Sequence, residues 1–201
     1  MEKEINILKS FVEGNIDTKT FEKELYENEN LKKILDDNNI NTMYSRRHSS
    51  PYYYLLELNY NDIRGKLKAQ GAIESFLNNK EIKFIKNNEF IDEYNLILDA
   101  QPKYLDVDTK FIQKYILPSD KNKPKKELKE HMKLKFKEYF KYQSKPPQWI
   151  QNPEWIIKND VPLFFLGQKE IKDCKIFHDD GAVYIFVDEK TGEIETITQL
   201  Y

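Results

Sequence analysis

Apolar residues over the first two-thirds of the chain recur every three or four positions, as they do along one face of an α-helix. Ile5, Leu8 and Val12 form the first such stripe. Segment 52–60 is rich in residues that favour strands as well as helices, but its lack of alternation favours a helix. Segment 82–85 could instead be a short strand. The spacing predicts helices within 1–13, 18–28, 31–36, 51–60, 61–77, 94–98, 109–117 and 124–142.

Short polar side chains mark the start of several of these helices. Asp17 or Thr18 is predicted to cap the second helix, Asn30 the third, and Asp108 the helix that Pro118 closes. These residue types accept hydrogen bonds from the first backbone N–H groups of a helix, which have no partner within the helix itself.

The last fifty residues change to strand-like spacing. The apolar run 161–166 predicts one strand, and 182–187, apolar on both faces, predicts a central one. Asp180-Gly181 is predicted to form a two-residue hairpin turn before that central strand. Gly192 lies where the next turn needs a positive φ, and 193–200 is then the edge strand.

The segregation of the two patterns predicts an α+β fold. A helical region, 1–142, is followed by a connector and an antiparallel sheet of three to five strands, 143–201, and both are expected to form one compact unit. The connector carries Trp149 and Trp155 among several prolines. Both tryptophans are predicted to be buried where the helices meet the sheet; the other hypothesis is an exposed pair that binds a partner.

Composition and charge narrow the class of protein. The 201 residues include 13% aromatics, which disordered chains lack, and carry a net charge of -2. That charge is unevenly spread: residues 1–40 sum to −4 and residues 120–145 to +6. The chain start shows no signal peptide and no apolar run is long enough to span a membrane, so a cytoplasmic protein is expected.

Few residues offer catalytic or metal-binding chemistry. The single cysteine, Cys174, excludes an internal disulfide, and its spacing from His178 on a strand places the two side chains far apart. The cluster 178–180 is better explained as a turn than as a metal site, because no second cluster supplies further ligands. We therefore predict no catalytic residue, metal or cofactor.

Two stretches resemble a known family. Segment 145–155 (KPPQWIQNPEW), followed by 161–168 (VPLFFLGQ) and the Asp-Asp-Gly of the hairpin, resembles a C-terminal β module of small bacterial proteins. Many of these are grouped with the immunity proteins of polymorphic toxin systems. Segment 11–16 (FVEGNI) is similar to openings common in immunity proteins. The resemblance rests on Trp149, Trp155, Gln168, Asp180 and Gly181, and Ile156 stands where the pattern has proline. With the turn residue Gly192, these five are predicted to have structural roles.

The resemblance implies a cytoplasmic immunity protein whose partner is a cognate toxin. The acidic N-terminal helices suit a basic toxin such as a nuclease; their acidic residues are Glu22, Glu24, Glu27, Glu29, Asp36 and Asp37. The lysine-rich helix 124–142, with Lys125, Lys129, Lys133 and Lys137, suits an acidic partner or, alternatively, nucleic acid. Two further alternatives are an enzyme built from scattered carboxylates, and charged faces that are merely solvated.

Overall fold

The computed structural model describes residues 2–36, 50–120, 122–172 and 179–201. It confirms the α+β fold, with helices followed by a C-terminal antiparallel sheet. The chain divides into two compact units, Met1–Asn95 and Leu96–Tyr201, and α6 runs across the division. The helices are α1 Glu2–Val12, α2 Thr18–Glu27, α3 Glu29–Leu35, α4 Pro51–Leu56, α5 Ile63–Asn79, α6 Glu89–Ala100, α7 Thr109–Phe111, a π-helical turn Ile112–Ile116, and α8 Lys125–Tyr139.

The first unit is built from amphipathic helices that bury their apolar stripes against one another. Phe11 of α1 stacks on Phe21 of α2 with ring centroids 4.2 Å apart. Helix α5 packs beside α1, and its buried Gln70 donates to the carbonyl oxygens of Val12 (3.3 Å) and Asn87 (2.6 Å). The fully buried residues of this core include Leu8, Phe11, Phe21, Leu25, Leu31, Leu35, Ile73, Phe76 and Leu77.

Most predicted helix starts are confirmed, and one is corrected. Asp17 caps α2 by accepting from the Thr20 N–H at 2.7 Å, and Asp108 caps α7. The third helix is capped by Asn28 rather than by the predicted Asn30, because α3 begins at Glu29 directly after α2 ends. Segment 52–60 begins within a helix, α4, as favoured, and residues 82–88 form neither a helix nor a strand.

The second unit contains the sheet. Strands β3 Phe164–Ile171, β4 Gly181–Val187 and β5 Ile194–Leu200 form an antiparallel sheet with β4 in the centre, as predicted. A separate ribbon pairs β1 Ile157–Lys158 with β2 Val161–Pro162 through a tight turn in which Asn159 and Asp160 both have positive φ. Gly192 has φ +73° in the turn before β5, also as predicted.

The predicted two-residue hairpin at Asp180-Gly181 is wrong, because β3 ends at Ile171 and β4 begins at Gly181, so that residues 172–180 connect the two strands. Gly181 is the first residue of β4 and pairs with Ile171 and Leu200, so it lies in the sheet rather than in the turn. A Cβ at this position would come within 2.4 Å of the Gln199 carbonyl oxygen. The glycine is therefore required by the close approach of β5, not by turn geometry.

The Pro/Trp connector packs over one face of this sheet. Trp155 is buried and joins the end of α8 to the sheet, contacting Phe140 and Phe186 with ring centroids about 5.5 Å apart. The Trp149 ring lies 4.4 Å from the Tyr184 ring in a tilted arrangement, with an interplanar angle of 34°, but Trp149 is only half-buried. Burial at the joint is thus complete for Trp155 and partial for Trp149.

Three side chains, one from each strand, hold the connector in place. Gln168 of β3 accepts from the Gln148 N–H at 2.7 Å, and the Tyr184 hydroxyl of β4 donates to the Gln148 carbonyl at 2.9 Å. Gln199 of β5, 3% exposed, accepts from the N–H groups of Ile150 and Gln151 and donates to the Asn152 carbonyl. Gln168 of the family-like motif therefore has a structural role, and Tyr184 and Gln199 share it.

Candidate partner-binding surface

Three of the predicted acidic residues line one shallow, open depression in the first unit. Glu24 and Glu27 come from the last turns of α2, and Glu29 begins α3. The depression has a volume of about 550 Å³, and its lining residues are Lys3, Glu4, Glu24, Glu27, Asn28, Glu29 and Asn30. Four carboxylates and one ammonium group therefore surround it. We call it the acidic depression.

Asn28 organises the floor of the acidic depression. Its side-chain oxygen caps α3 by accepting from the N–H groups of Asn30 and Leu31, each at 3.1 Å. Its side-chain amide donates to Glu24 Oε2 at 3.0 Å, so one residue both begins the helix and orients a carboxylate. The tight α2–α3 junction thereby fixes the spacing of Glu24 and Glu29.

Sequence reasoning missed the contribution of α1. Glu4 is 5% exposed and lies four residues before the buried Leu8, on the same helix face. That i, i+4 relation was the available signal, because it turns Glu4 inward toward α2 and α3 rather than to solvent. Lys3, next to it, is the basic residue among those that line the depression, and Lys23 of α2 pairs with Glu27 at 3.8 Å.

The other predicted acidic residues do not join this depression. Successive helix residues are about 100° apart, so Glu22 and Glu24 point to nearly opposite sides of α2. Glu22 lies near the buried Tyr60. The pKa of the Tyr60 phenol is raised mainly by burial and, to a smaller extent, by the negative charge of Glu22. Asp36 ends α3 as its C-cap, and Asp37 lies outside the described residues.

The lysine-rich helix α8 carries less unpaired charge than its composition suggests. Lys129 pairs with Asp99 at 3.6 Å, Lys133 with Glu130 at 2.8 Å, and Lys135 with Glu138 at 2.8 Å. These pairs raise the pKa of Lys135 and lower the pKa of Glu130 through hydrogen bonds. Lys125 and Lys137 are exposed.

The aromatic residues of α8 face the core of the second unit. Phe136 and Phe140 are fully buried, and the Tyr139 ring contacts Phe111 edge-on with centroids 5.7 Å apart. Stacking on bases needs exposed rings. The exposed surface of α8 therefore offers charge for a partner, but these three rings offer no stacking surface.

An exposed cluster that the sequence did not indicate joins the π-helical turn to the β1–β2 ribbon. Asp160 accepts from Lys114 Nζ at 2.8 Å and from the Tyr115 hydroxyl at 2.9 Å. These hydrogen bonds hold the pKa of Asp160 below its usual range and raise the pKa of Lys114. The wider π-helical turn places the consecutive Lys114 and Tyr115 so that both reach one carboxylate.

A second concavity in the first unit lies between the α1–α2 turn, α5 and the start of α6. Its volume is about 270 Å³, and Gly14, Asp17, Lys66 and Phe90 are among its lining residues. Hydrogen bonds from Thr20 hold the pKa of Asp17 below its usual range, and those bonds commit this carboxylate to capping α2.

The described residues offer neither a metal site nor a membrane-spanning helix. In the described ranges, no group of three or more His, Cys, Asp or Glu side chains is arranged to hold a metal ion. Helices there also lack the combined length and apolarity needed to cross a membrane. The predictions about Cys174 and His178 lie outside the described residues. The chain matches no protein-family model, no curated protein and no solved structure.

Proposed function

We propose that this chain is a non-enzymatic binding protein, an immunity protein that neutralises a cognate bacterial toxin through the acidic depression. The observation that carries the proposal is the convergence of Glu4, Glu24, Glu27 and Glu29 from three helices onto one concave surface. An inhibitor needs a rigid surface complementary to its target and no catalytic group of its own.

The depression suits a protruding basic group on the partner. Carboxylates set around a concave surface concentrate negative potential there, which accelerates association with a positively charged partner and selects against an acidic one. The surrounding helices are held by a core that contains fully buried Phe21, Leu25 and Leu31. The acidic depression therefore needs little reordering when a partner binds, which limits the conformational entropy lost on binding. A nuclease toxin, which needs positive surface to hold its own substrate, is the partner class that this charge fits.

The convergence of carboxylates from three helices favours the acidic depression over the lysine-rich helix as the binding surface. Ion pairing does not distinguish the two surfaces, because Glu27 pairs with Lys23 at 3.8 Å, just as three lysines of α8 pair with Asp99, Glu130 or Glu138. Binding of nucleic acid through α8 remains the alternative function. It predicts strongly salt-dependent binding to plain DNA or RNA, which the immunity function does not require.

The proposal is tested by protection of growing cells. The candidate toxin is the C-terminal domain of a large secreted protein encoded beside this gene, expressed with or without the chain. The triple variant Glu24→Lys, Glu27→Lys and Glu29→Lys is expected to lose protection. The matched control Asp106→Lys, Asp179→Lys and Glu193→Lys alters exposed carboxylates elsewhere and makes the same change in net charge, from −2 to +4.

The outcomes separate the hypotheses. Loss of protection in the first triple variant but not in the control supports the acidic depression as the binding surface. Equal protection by both variants contradicts that assignment. Failure of the wild-type chain to protect against any neighbouring toxin domain, combined with salt-dependent binding to DNA or RNA, supports the nucleic-acid function. Turnover of a substrate by the purified chain would instead support an enzyme.

A further inference from the structure

We propose that two copies of this chain pair antiparallel along β5, joining their three-stranded sheets into one of six strands. The proposal is independent of toxin binding, since it rests on the second unit alone. β5 is an outer strand of the sheet: it pairs with β4 over all seven residues, Ile194–Leu200, and with no other described strand. An outer strand of this length presents a row of backbone groups that another strand can bind.

The register shows which backbone groups face outward. Asp188 donates to the Glu193 carbonyl at 2.9 Å, and Tyr201 donates to the Asp180 carbonyl at 3.0 Å. Antiparallel hydrogen bonding alternates along a strand, so 195, 197 and 199 bond β4. Ile194, Thr196, Thr198 and Leu200 therefore direct their N–H and C=O groups away from the sheet. One of these carbonyls, that of Leu200, accepts from Gln151 Nε2 at 2.8 Å and keeps a second lone pair.

The sequence of β5 is complementary to itself in this orientation. A twofold axis at Ile197 places Thr196 opposite Thr198 of the second copy, and Ile194 opposite Leu200. Each of these pairs joins two residues whose backbone groups face outward, so the ladder between the copies can form without disturbing the ladder to β4. Thr–Thr and aliphatic cross-strand pairs are favourable neighbours. The pairing closes on itself and stops at two copies.

Three of the usual edge-protecting devices are missing from β5, whereas Glu195, which pairs with Lys158, and the Gln151 side chain on Leu200 leave the central segment Thr196–Thr198 open. The strand contains no proline and no lysine, and its pairing with β4 has no bulge. Ile194 is 65% exposed, and the side chains of Thr196 and Thr198 are also exposed. Proline, lysine and bulges are among the devices by which natural outer strands avoid pairing with another chain. The free edge therefore fits a second copy of the same strand.

Sedimentation of the full-length chain at increasing concentration tests the proposal. The 24.2 kDa chain is expected to shift toward a species of twice that mass at concentrations below about 1 mM. In the double variant Thr196→Lys, Thr198→Lys, two like-charged pairs face each other across the axis. We expect a dimer about two- to thirtyfold weaker than wild type. Thr196→Lys, Thr198→Glu places opposite charges in the same pairs and is expected to restore dimerisation.

Two controls keep the result specific to β5. Asn78→Lys, Asn79→Lys adds the same charge at the exposed end of α5 and should leave the dimer unchanged. Circular dichroism and thermal unfolding of each variant establish that it folds. A wild-type chain that stays monomeric over the whole range overturns the proposal. So does a Lys/Glu variant that folds but dimerises no better than the Lys/Lys variant, or assembly that continues beyond two copies.

Discussion

Trp155 and Trp149 differ in how much of their rings is removed from solvent. Trp155 is 7% exposed, and its indole N–H donates to the Leu163 carbonyl at 2.9 Å. We expect Trp155→Ala to lower the free energy of unfolding by about 3–5 kcal/mol, the cost of a large buried cavity. Trp149→Ala should cost less, because its ring is half-buried. Urea unfolding measures both, and an equal or larger loss for Trp149→Ala would contradict this ranking.

Gln199 of β5 makes more hydrogen bonds to the connector than Gln168 or Tyr184 does. Replacing it with leucine keeps its approximate volume but leaves the part-buried Gln151 N–H and Asn152 carbonyl without their partner. Unsatisfied buried polar groups cost about 1–3 kcal/mol each, so we expect Gln199→Leu to destabilise the fold by about 2–4 kcal/mol. Gln168→Leu, at an exposed position, is the matched control and should cost under about 1 kcal/mol. Similar losses from both variants in urea unfolding would refute a special role for Gln199.

At the scale of elements, the N-cap of α3 is Asn28, whereas the sequence predicted Asn30. Asn28 accepts from two backbone N–H groups, whereas Asn30 lies within the first turn of α3. Asn28→Ala is expected to cost about 1 kcal/mol of stability, as the loss of an N-cap does. Asn30→Ala should be neutral or slightly stabilising, since alanine favours helix interiors. Thermal unfolding of the two variants compares them, and a larger loss at Asn30 would favour the original sequence prediction.

At the scale of the whole molecule, shifted pKa values make the free energy of unfolding depend on pH in both the acid and the alkaline range. Hydrogen bonds from Lys114 and Tyr115 lower the pKa of Asp160, so this contribution is present above the unfolded pKa of about 4 and is lost as pH falls. Burial raises the pKa of Tyr104 to about 12. Its contribution is complete below the unfolded pKa of about 10 and is lost as pH rises toward 12.

We therefore expect the free energy of unfolding to be nearly constant between about pH 5 and 9 and to fall on either side. Urea unfolding at a series of pH values measures this curve. Asp160→Asn is expected to make the fall in the free energy of unfolding at acid pH less steep. Tyr104→Phe is expected to make the fall at alkaline pH less steep. If either variant left the corresponding fall as steep as in wild type, that group would not be a source of the dependence.

Local signals in the sequence determined most of the secondary structure. The helical stripes, the caps at Asp17 and Asp108, and the turn at Gly192 each depend on residues within one or two turns of each other. The order of the strands in the sheet could also be predicted, because a strand that is apolar on both faces buries most surface in the centre of a sheet. The α+β class could be predicted for the same reason.

Contacts between residues distant in the sequence were decided only by the tertiary structure. The local sequence suggests that Gly181 is a turn residue, but the structure shows that it makes room for Gln199 of β5, eighteen positions away. The role of Gln199 itself depends on the connector that lies over the sheet. Likewise, the acidic stretch 22–37 reads as one surface, but helix geometry splits it and Glu4 of α1 completes the acidic depression. Local propensity fixes which element forms, whereas packing of elements against one another selects which side chains meet.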